Sequence, residues 1–234
     1  GCGLYTAGMF HLLTHGIFKG LLFLGAGAII HTLHGEQRIS RMGGLLREIP
    51  APSAAFIAGL LALAGIFPFS GFFSKDAILW GGFERYGALF WAIAFGGAVV
   101  TAIYTGKLFS ALLGEKGFDA HLHRPGMVIV IPLLVLAVFA LLAGIPGLPL
   151  FSGDTFFARF LGTAAIIGTT GSDHFLELVM TVAQSVVLIL VLAGAIRLFT
   201  RKRQTPEPAL LAGGFGIDRL FETLFVIPLK GLSR

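Results

Sequence analysis

The sequence predicts an all-α, polytopic transmembrane helix bundle in which one helix is discontinuous. Hydrophobic residues make up 56% of the 234 residues and charged residues only 12%, whereas a soluble domain carries roughly 25% charged residues. Several apolar runs reach the length of about 20 residues that a helical span needs. One of these runs holds a proline between two glycines, a pattern that interrupts helices.

Five long apolar segments account for residues 1–199. They are segment A, about Tyr5 to Leu33; segment B, about Pro52 to Gly81; segment C, about Tyr86 to Leu113; segment D, about Met127 to Ile145; and segment E, about His174 to Phe199. Residues 200–234 form a second region, which begins with a polar linker. Residues 217–225 follow with apolar positions at helical spacing, so we expect the start of a lateral helix that lies in the membrane interface.

Basic residues in the loops and near the ends of the spans are distributed unevenly between the two sides of this five-span arrangement. One side carries ten of them, namely Arg38, Arg41, Arg47, Lys107, Lys116, Arg124, Arg197, Arg201, Lys202 and Arg203, and the other carries only Arg85 and Arg159. Because short cytoplasmic loops carry an excess of Lys and Arg, we expect the chain to begin outside and the tail after segment E to be cytoplasmic.

Segment B contains the run Ala64-Gly-Ile-Phe-Pro-Phe-Ser-Gly71. Pro68 lacks an N–H group and cannot continue a helix, so we predict an interruption between about Gly65 and Gly71. Freed backbone groups at membrane depth need polar or wet surroundings, and broken helices of this kind form ion sites in transporters. A re-entrant hairpin of two short elements and a simple proline kink are the structural alternatives.

Three ionisable residues lie on one face of segment A. His11, His15 and Lys19 are spaced four residues apart, so they form a polar ladder about 12 Å long. Histidine titrates near neutrality, and a lysine in the middle of a span costs on the order of 3 kcal/mol or more. The ladder therefore predicts a proton pathway. The alternative is that each histidine only bonds a neighbouring helix.

Lys75 and Asp76 follow the predicted break directly. Adjacent residues on a helix point about 100° apart, so we expect Lys75 to face the proton path and Asp76 to face its exit. A lysine near a helix break can alternate between its charged and neutral forms. The alternative is a structural Lys–Asp contact without a role in transport.

The remaining polar groups carry weaker signals. Gln184 and Ser185 are expected to bond between helices, and Glu177 is expected to be solvated at the outer end of segment E. His31 and His34 are expected at the cytoplasmic interface. The single cysteine excludes a disulfide framework or an iron–sulfur site within the chain.

No cofactor or metal is expected. The sequence has no zinc-ligand pairs of the CxxC or HExxH type, no dinucleotide fingerprint and no P-loop lysine. His121 and His123 form an HxH pair in a loop, which is not expected to hold a metal. The basic residues sit in short loops between spans, so nucleic acid is not expected as a partner.

Several strings resemble the antiporter-like membrane subunits of respiratory complex I. The run His11-Leu-Leu-Thr-His-Gly-Ile-Phe-Lys-Gly-Leu-Leu-Phe-Leu-Gly-Ala-Gly27 is similar to a motif of that family, and Gly35 to Gly44 is similar to the loop that follows it. Gly71-Phe-Phe-Ser-Lys-Asp76 resembles the family's second broken helix, and Gly214 to Phe221 resembles the approach to a lateral helix. The likeness is strongest to the subunit L or chain 5 type of NADH:quinone oxidoreductase.

The resemblance implies that His11, His15, Lys19, Lys75 and Asp76 lie on a proton pathway driven by quinone reduction elsewhere in the complex. The chain would then be a fragment of an antiporter-like fold, in keeping with its first residue, Gly1, and would perform no redox chemistry itself. Its partners would be the lipid bilayer and neighbouring membrane subunits, in a bacterial inner membrane rather than a mitochondrial one. A subunit of an Mrp-type cation/proton antiporter is the alternative, and a membrane scaffold without transport is another.

Overall fold

The computed structural model describes residues 3–114, 117–118, 122–148, 155–162, 174–201, 220–227 and 230. The α-helices are α1 (Tyr5–Thr32), α2 (Leu45–Glu48), α3 (Pro50–Ala64), α4 (Ser70–Tyr86), α5 (Ala88–Leu113), α6 (Met127–Leu142), α7 (Phe156–Leu161) and α8 (His174–Arg201), with 3₁₀ turns at Ile39–Arg41 and Ile145–Gly147. Among the described residues, four stretches are long and apolar enough to cross a membrane: Tyr5–Thr32, Ala88–Leu113, Met127–Gly147 and His174–Thr200. The prediction of an all-α, polytopic membrane bundle is confirmed.

Segment B, the one predicted span that is not among these four stretches, forms the pair of helices α3 and α4. Helix α3 has 15 residues and is therefore about 22 Å long, which is shorter than the hydrocarbon core of about 30 Å. Helix α4 continues for 17 residues beyond a short non-helical connection. The predicted interruption is confirmed, and the simple proline kink is wrong because the two helices are separated by Gly65 to Phe69.

The break is built by glycine on both sides. Gly65 ends α3 in the left-handed conformation, with φ 78°, and its N–H donates to the Ala62 carbonyl at 3.1 Å while the Ile66 N–H donates to the Leu61 carbonyl at 3.0 Å. These two bonds form the glycine-terminated helix end called a Schellman motif. At the start of α4, a Cβ on Gly71 would overlap the carbonyl oxygen of Ala62, so only glycine lets the second half-helix cross the end of the first.

Helix α1 packs between α3 and α6 around a buried core. Phe18 and Leu21 of α1 lie against Ala62 of α3 and Leu133 of α6, and all four side chains are inaccessible to solvent. Helices α5 and α8 approach closely because Gly106 has no side chain, so that its Cα lies beside the Ala195 methyl group. Close approach at small residues is the usual way in which membrane helices associate.

Large apolar side chains remain exposed along the outer faces of the long helices. Examples with 70% or more of their surface exposed are Phe23, Leu89, Ile93, Val128 and Phe175. In water, an exposed apolar surface of this extent would favour aggregation or association. On a bundle of membrane-crossing helices, such a surface suits contact with lipid chains or with other membrane helices.

The connections between helices group at two ends of the bundle, as the loop charges predict. At one end, the Gly117 N–H donates to the Gly43 carbonyl at 3.3 Å, which joins the connection after α5 to the connection after α1. At the other end, the Phe157 ring of α7 lies 5.3 Å from the Phe10 ring near the start of α1. The assignment of the first end to the cytoplasm stays a prediction.

Residues Lys202–Arg234 form a separate unit from Gly1–Arg201. Within the described part of that unit, Glu222–Val226 form one π-helical segment, and Leu220, Phe221, Leu224 and Ile227 are exposed. The predicted linker and residues 217–219 of the predicted lateral helix lie outside the described residues.

Candidate functional site

The polar face of α1 meets the start of α4 through a set of hydrogen bonds. His11 Nδ1 lies 3.0 Å from the Ser74 hydroxyl, and the Thr14 hydroxyl donates to Ser74 Oγ at 2.9 Å. Thr14 Oγ1 also lies 3.1 Å from the His11 carbonyl oxygen. A hydroxyl has one proton and two acceptor sites, so the protons in this set can be redistributed without moving heavy atoms. Thr14 and Ser74 are fully buried.

The two histidines of the predicted ladder are neighbours in the structure. The ring centroids of His11 and His15 are 5.8 Å apart, and both side chains are partly buried. Ser74 is the neighbour of Lys75 in α4, so its contact with His11 places the two histidines beside the start of α4. Lys19 lies on the same face of α1, one turn beyond His15.

Lys75 is held by the broken end of α3. Its Nζ donates a hydrogen bond of 2.6 Å to the Leu63 carbonyl, one of the carbonyls that a helix leaves unpaired at its C-terminus. The C-terminal end of a helix carries a partial negative charge, which favours a cation. The aliphatic part of Lys75 passes beside Gly65, where a Cβ would lie 3.0 Å from Lys75 Cδ. The break thus creates both the acceptor and the space for the lysine.

Asp76 points away from Lys75 and toward α8, as the helical geometry predicts. The Thr181 hydroxyl donates to Asp76 Oδ1 at 2.8 Å, and the Gln184 amide donates to the same oxygen. Between these two described residues of α4 there is no ion pair. The structural Lys75–Asp76 contact is therefore wrong, and each of the two side chains serves a different helix interface.

The sequence reasoning missed three hydroxyl residues of this site, Thr14, Ser74 and Thr181. Ser74 and Thr14 are direct neighbours in sequence of Lys75 and His15, respectively, within apolar spans, and that adjacency is the available signal. Gln184 bonds between helices as predicted. Ser185 does not, because its hydroxyl donates to the Thr181 carbonyl of its own helix.

A second group of histidines lies at the opposite end of α1. The His31 and His123 rings are 5.0 Å apart and nearly perpendicular, and with His34 and Gly35 they line an open pocket of about 540 Å³. In the part of the chain that the structure describes, no three His, Cys, Asp or Glu side chains are placed to hold a metal ion. His121, the other half of the HxH pair, lies outside that part.

Comparison with known proteins identifies the family. Residues 1–101 match the family described as NADH:quinone oxidoreductase/Mrp antiporter, TM. This part of the chain belongs to the antiporter family. All five residues of the predicted pathway, from His11 to Asp76, lie within the part that matches the family.

Relatives in the antiporter family extend the match over the whole chain. NADH-quinone oxidoreductase subunit L of Pseudomonas aeruginosa is 35% identical over 97% of this chain and 37% of its own length. The subunit L proteins of Mycobacterium tuberculosis, at 43% identity over 60% of this chain, and of Rickettsia conorii, at 39% over 66%, are also similar. They are covered over 23% and 24% of their lengths, so the chain spans about a quarter to two fifths of these curated relatives.

A solved structure from the same antiporter family shares the fold. The Mrp complex from Dietzia sp. DQ12-45-1b aligns with a TM-score of 0.56 and 26% sequence identity, over 82% of this chain and 40% of the matched chain. The resemblance to the antiporter-like subunits that the sequence motifs indicate is thus confirmed. The roles of the individual site residues stay predictions.

Proposed function

We propose that the chain is part of a proton-translocating membrane subunit of NADH:quinone oxidoreductase, of the subunit L type, driven by quinone reduction elsewhere in the complex. One observation carries the proposal: His11 and Thr14 of α1 hydrogen-bond to Ser74, the residue before Lys75, and Lys75 itself is held at the helix break. The names of the relatives support the assignment to subunit L.

The geometry suits proton transfer through the middle of a membrane. Protons arrive along the face of α1 that carries Lys19, His15 and His11, and pass through the hydroxyl groups of Thr14 and Ser74 toward Lys75. Each transfer breaks one bond to hydrogen and forms another between groups within hydrogen-bond reach, or across one or two waters. No electron transfer takes place in this chain.

A lysine within the bilayer is costly, because burying its charge costs on the order of 3 kcal/mol or more. The Leu63 carbonyl and the C-terminal end of α3 offset part of this cost when Lys75 is charged. An acceptor that favours the charged form of Lys75 thus lies inside a bilayer that disfavours a charge. A proton relay needs a group in such a setting, whereas a scaffold without transport does not.

The second candidate function is cation/proton exchange by an Mrp-type antiporter subunit. The structural similarity to the Mrp complex favours it, whereas the subunit L relatives favour the first candidate. Sodium-driven proton movement in sealed vesicles without quinone would decide for the antiporter. Proton movement that depends on quinone reduction would decide for the first candidate.

The proposal includes a location and partners. The chain is a multi-pass membrane protein, and its bacterial relatives support the bacterial inner membrane as its location. The apolar outer faces of the long helices contact lipid and other membrane subunits of the same complex. Neighbouring antiporter-like subunits are the expected partners, because the relatives are named as subunits of multisubunit assemblies.

The test replaces Lys75 in the full-length subunit within the assembled complex. Lys75→Ala removes the charge, and Lys75→Arg fixes it, because arginine stays protonated at any relevant pH. Both variants are expected to lose proton pumping in sealed vesicles, normalised to assembled complex. If Lys75→Arg pumps like the parent while Lys75→Ala fails, Lys75 is a fixed structural charge and the relay is wrong.

A further inference from the structure

A second set of polar groups lies between α4 and α8, on the other side of α4 from Lys75. Asp76 Oδ1 accepts hydrogen bonds from both Thr181 and Gln184. Only 6% of the Gln184 surface is exposed, and its Oε1 accepts no hydrogen bond from any described residue. A buried amide oxygen is stabilised only when a donor reaches it. This oxygen is therefore a binding point for a water or another proton carrier beside Asp76.

The same interface leads from Asp76 to the end of the bundle where α1 begins. Glu177 lies four residues before Thr181 and seven before Gln184, so the three share one face of α8, with Glu177 about 6 Å from Thr181 along the axis. Because Asp76 is bonded to Thr181 and Gln184, it faces the same side of α8 as Glu177. Asp76, Gln184 and Glu177 therefore form a series of polar groups along one helix interface.

Exposure increases along this series. Gln184 is buried, the Glu177 side chain is 36% exposed and the His174 side chain is 89% exposed. His174 Nδ1 lies 3.5 Å from Glu177 Oε2. A path from the interior to the surface shows this gradient.

We propose that the α4–α8 interface is the outward segment of the proton path, with Glu177 as the proton acceptor after Asp76. The O–H bond of protonated Asp76 breaks and its proton passes to a water bound at Gln184 Oε1. That water, as hydronium, gives a proton to the Glu177 carboxylate, which releases it to the surface. Thr181 and Gln184 are positioning residues that hold the resulting Asp76 carboxylate. The inference rests on the proposed function.

The experiment compares Glu177→Gln, Gln184→Leu and the control Ser185→Ala in the complete complex. Ser185 neighbours Gln184, but its hydroxyl bonds only within α8. A positioned proton-transfer group contributes about 10²–10⁴-fold to its step, so Glu177→Gln and Gln184→Leu should each lower pumping about ten-fold or more. The solvent deuterium isotope effect on pumping should rise in both variants and stay unchanged in Ser185→Ala.

The outcomes separate this inference from the proposed function. If Glu177→Gln assembles and pumps like the parent while Lys75→Ala is inactive, the outward segment is wrong and the relay through Lys75 stands. If Lys75→Ala also pumps normally, the proposed function itself fails. A loss of pumping in Glu177→Gln without a larger isotope effect would show a structural role and overturn the inference. Should Gln184→Leu fail to assemble, the partly exposed and isosteric Glu177→Gln decides alone.

Discussion

Gly71 tests whether the helix break is a fixed structural device. A methyl group at this position would overlap the carbonyl oxygen of Ala62, a backbone atom that cannot rotate away. Overpacking of a tight core typically costs about 1–3 kcal/mol, and a clash with backbone belongs at the upper end of that range. The gain in helix propensity from Gly to Ala is about 1 kcal/mol at most. Gly71→Ala is therefore expected to destabilise the bundle by about 1–2 kcal/mol.

The same substitution should affect function more than stability. The start of α4 must move away from α3 to accept the methyl group, and Lys75 moves with it, away from the Leu63 carbonyl that it now contacts at 2.6 Å. A shift of about 1 Å would stretch that hydrogen bond beyond its normal range. Proton pumping should fall further than the amount of assembled complex does.

Gly96→Ala is the matched control, because Gly96 lies within α5 and a Cβ there meets nothing within 4 Å. The assays are the temperature at which the purified complex loses the subunit and the pumping rate of sealed vesicles per assembled complex. We expect Gly96→Ala to match the parent in both. Equal stability and equal pumping in Gly71→Ala and Gly96→Ala would refute the reasoning that glycine is required at the crossing.

Three further predictions concern separate features. Ser74→Ala removes the hydroxyl that contacts His11 and Thr14 of α1, at a cost of about 1 kcal/mol for each lost hydrogen bond. Pumping should fall while the complex still assembles. Unchanged pumping would exclude the hydroxyl from the path. The two-pronged hydrogen bonds from Arg38 hold the pKa of Glu36 at about 2, below its usual 4.5. Because that pKa is lowered on folding, the stability that the ion pair adds to the loop is present above pH 4.5 and is lost as the pH falls toward 2. Hydrogen exchange at the Arg38 amide, corrected for the intrinsic rate, should therefore become faster only between these two pH values. Protection of this amide that does not depend on pH would contradict the prediction. For topology, Ala88→Cys but not Ser40→Cys should react with an impermeant thiol reagent on intact cells after replacement of the native cysteine, and the reverse labelling would invert the orientation.

Most of the fold follows from patterns within single segments. Segments A and C match α1 and α5 within two residues at each end, because long apolar runs at membrane length leave few alternatives. The break was predictable as well, since Pro68 and the glycines on either side act through local backbone geometry. Sequence alone does not say which helices become neighbours, because that depends on packing between segments far apart in the chain.

The site shows the same division between local and distant information. The α1 ladder could be predicted because His11, His15 and Lys19 share a helix. The partners of Asp76 could not, because Thr181 and Gln184 lie more than 100 residues away in the chain.

The two helices that flank α4 determine the partners of the adjacent residues Lys75 and Asp76. On a helix whose neighbours were equivalent, a lysine followed by an aspartate would be a charge pair on a surface. Here the break places the end of α3 beside one residue, and α8 places two hydrogen-bond donors beside the next. The carbonyl end of α3 favours a cation, and the donors of α8 favour an anion. A single turn of α4 thus holds the two side chains apart. Under the proposed function, a proton received at Lys75 would have a separate acceptor on the side that faces α8.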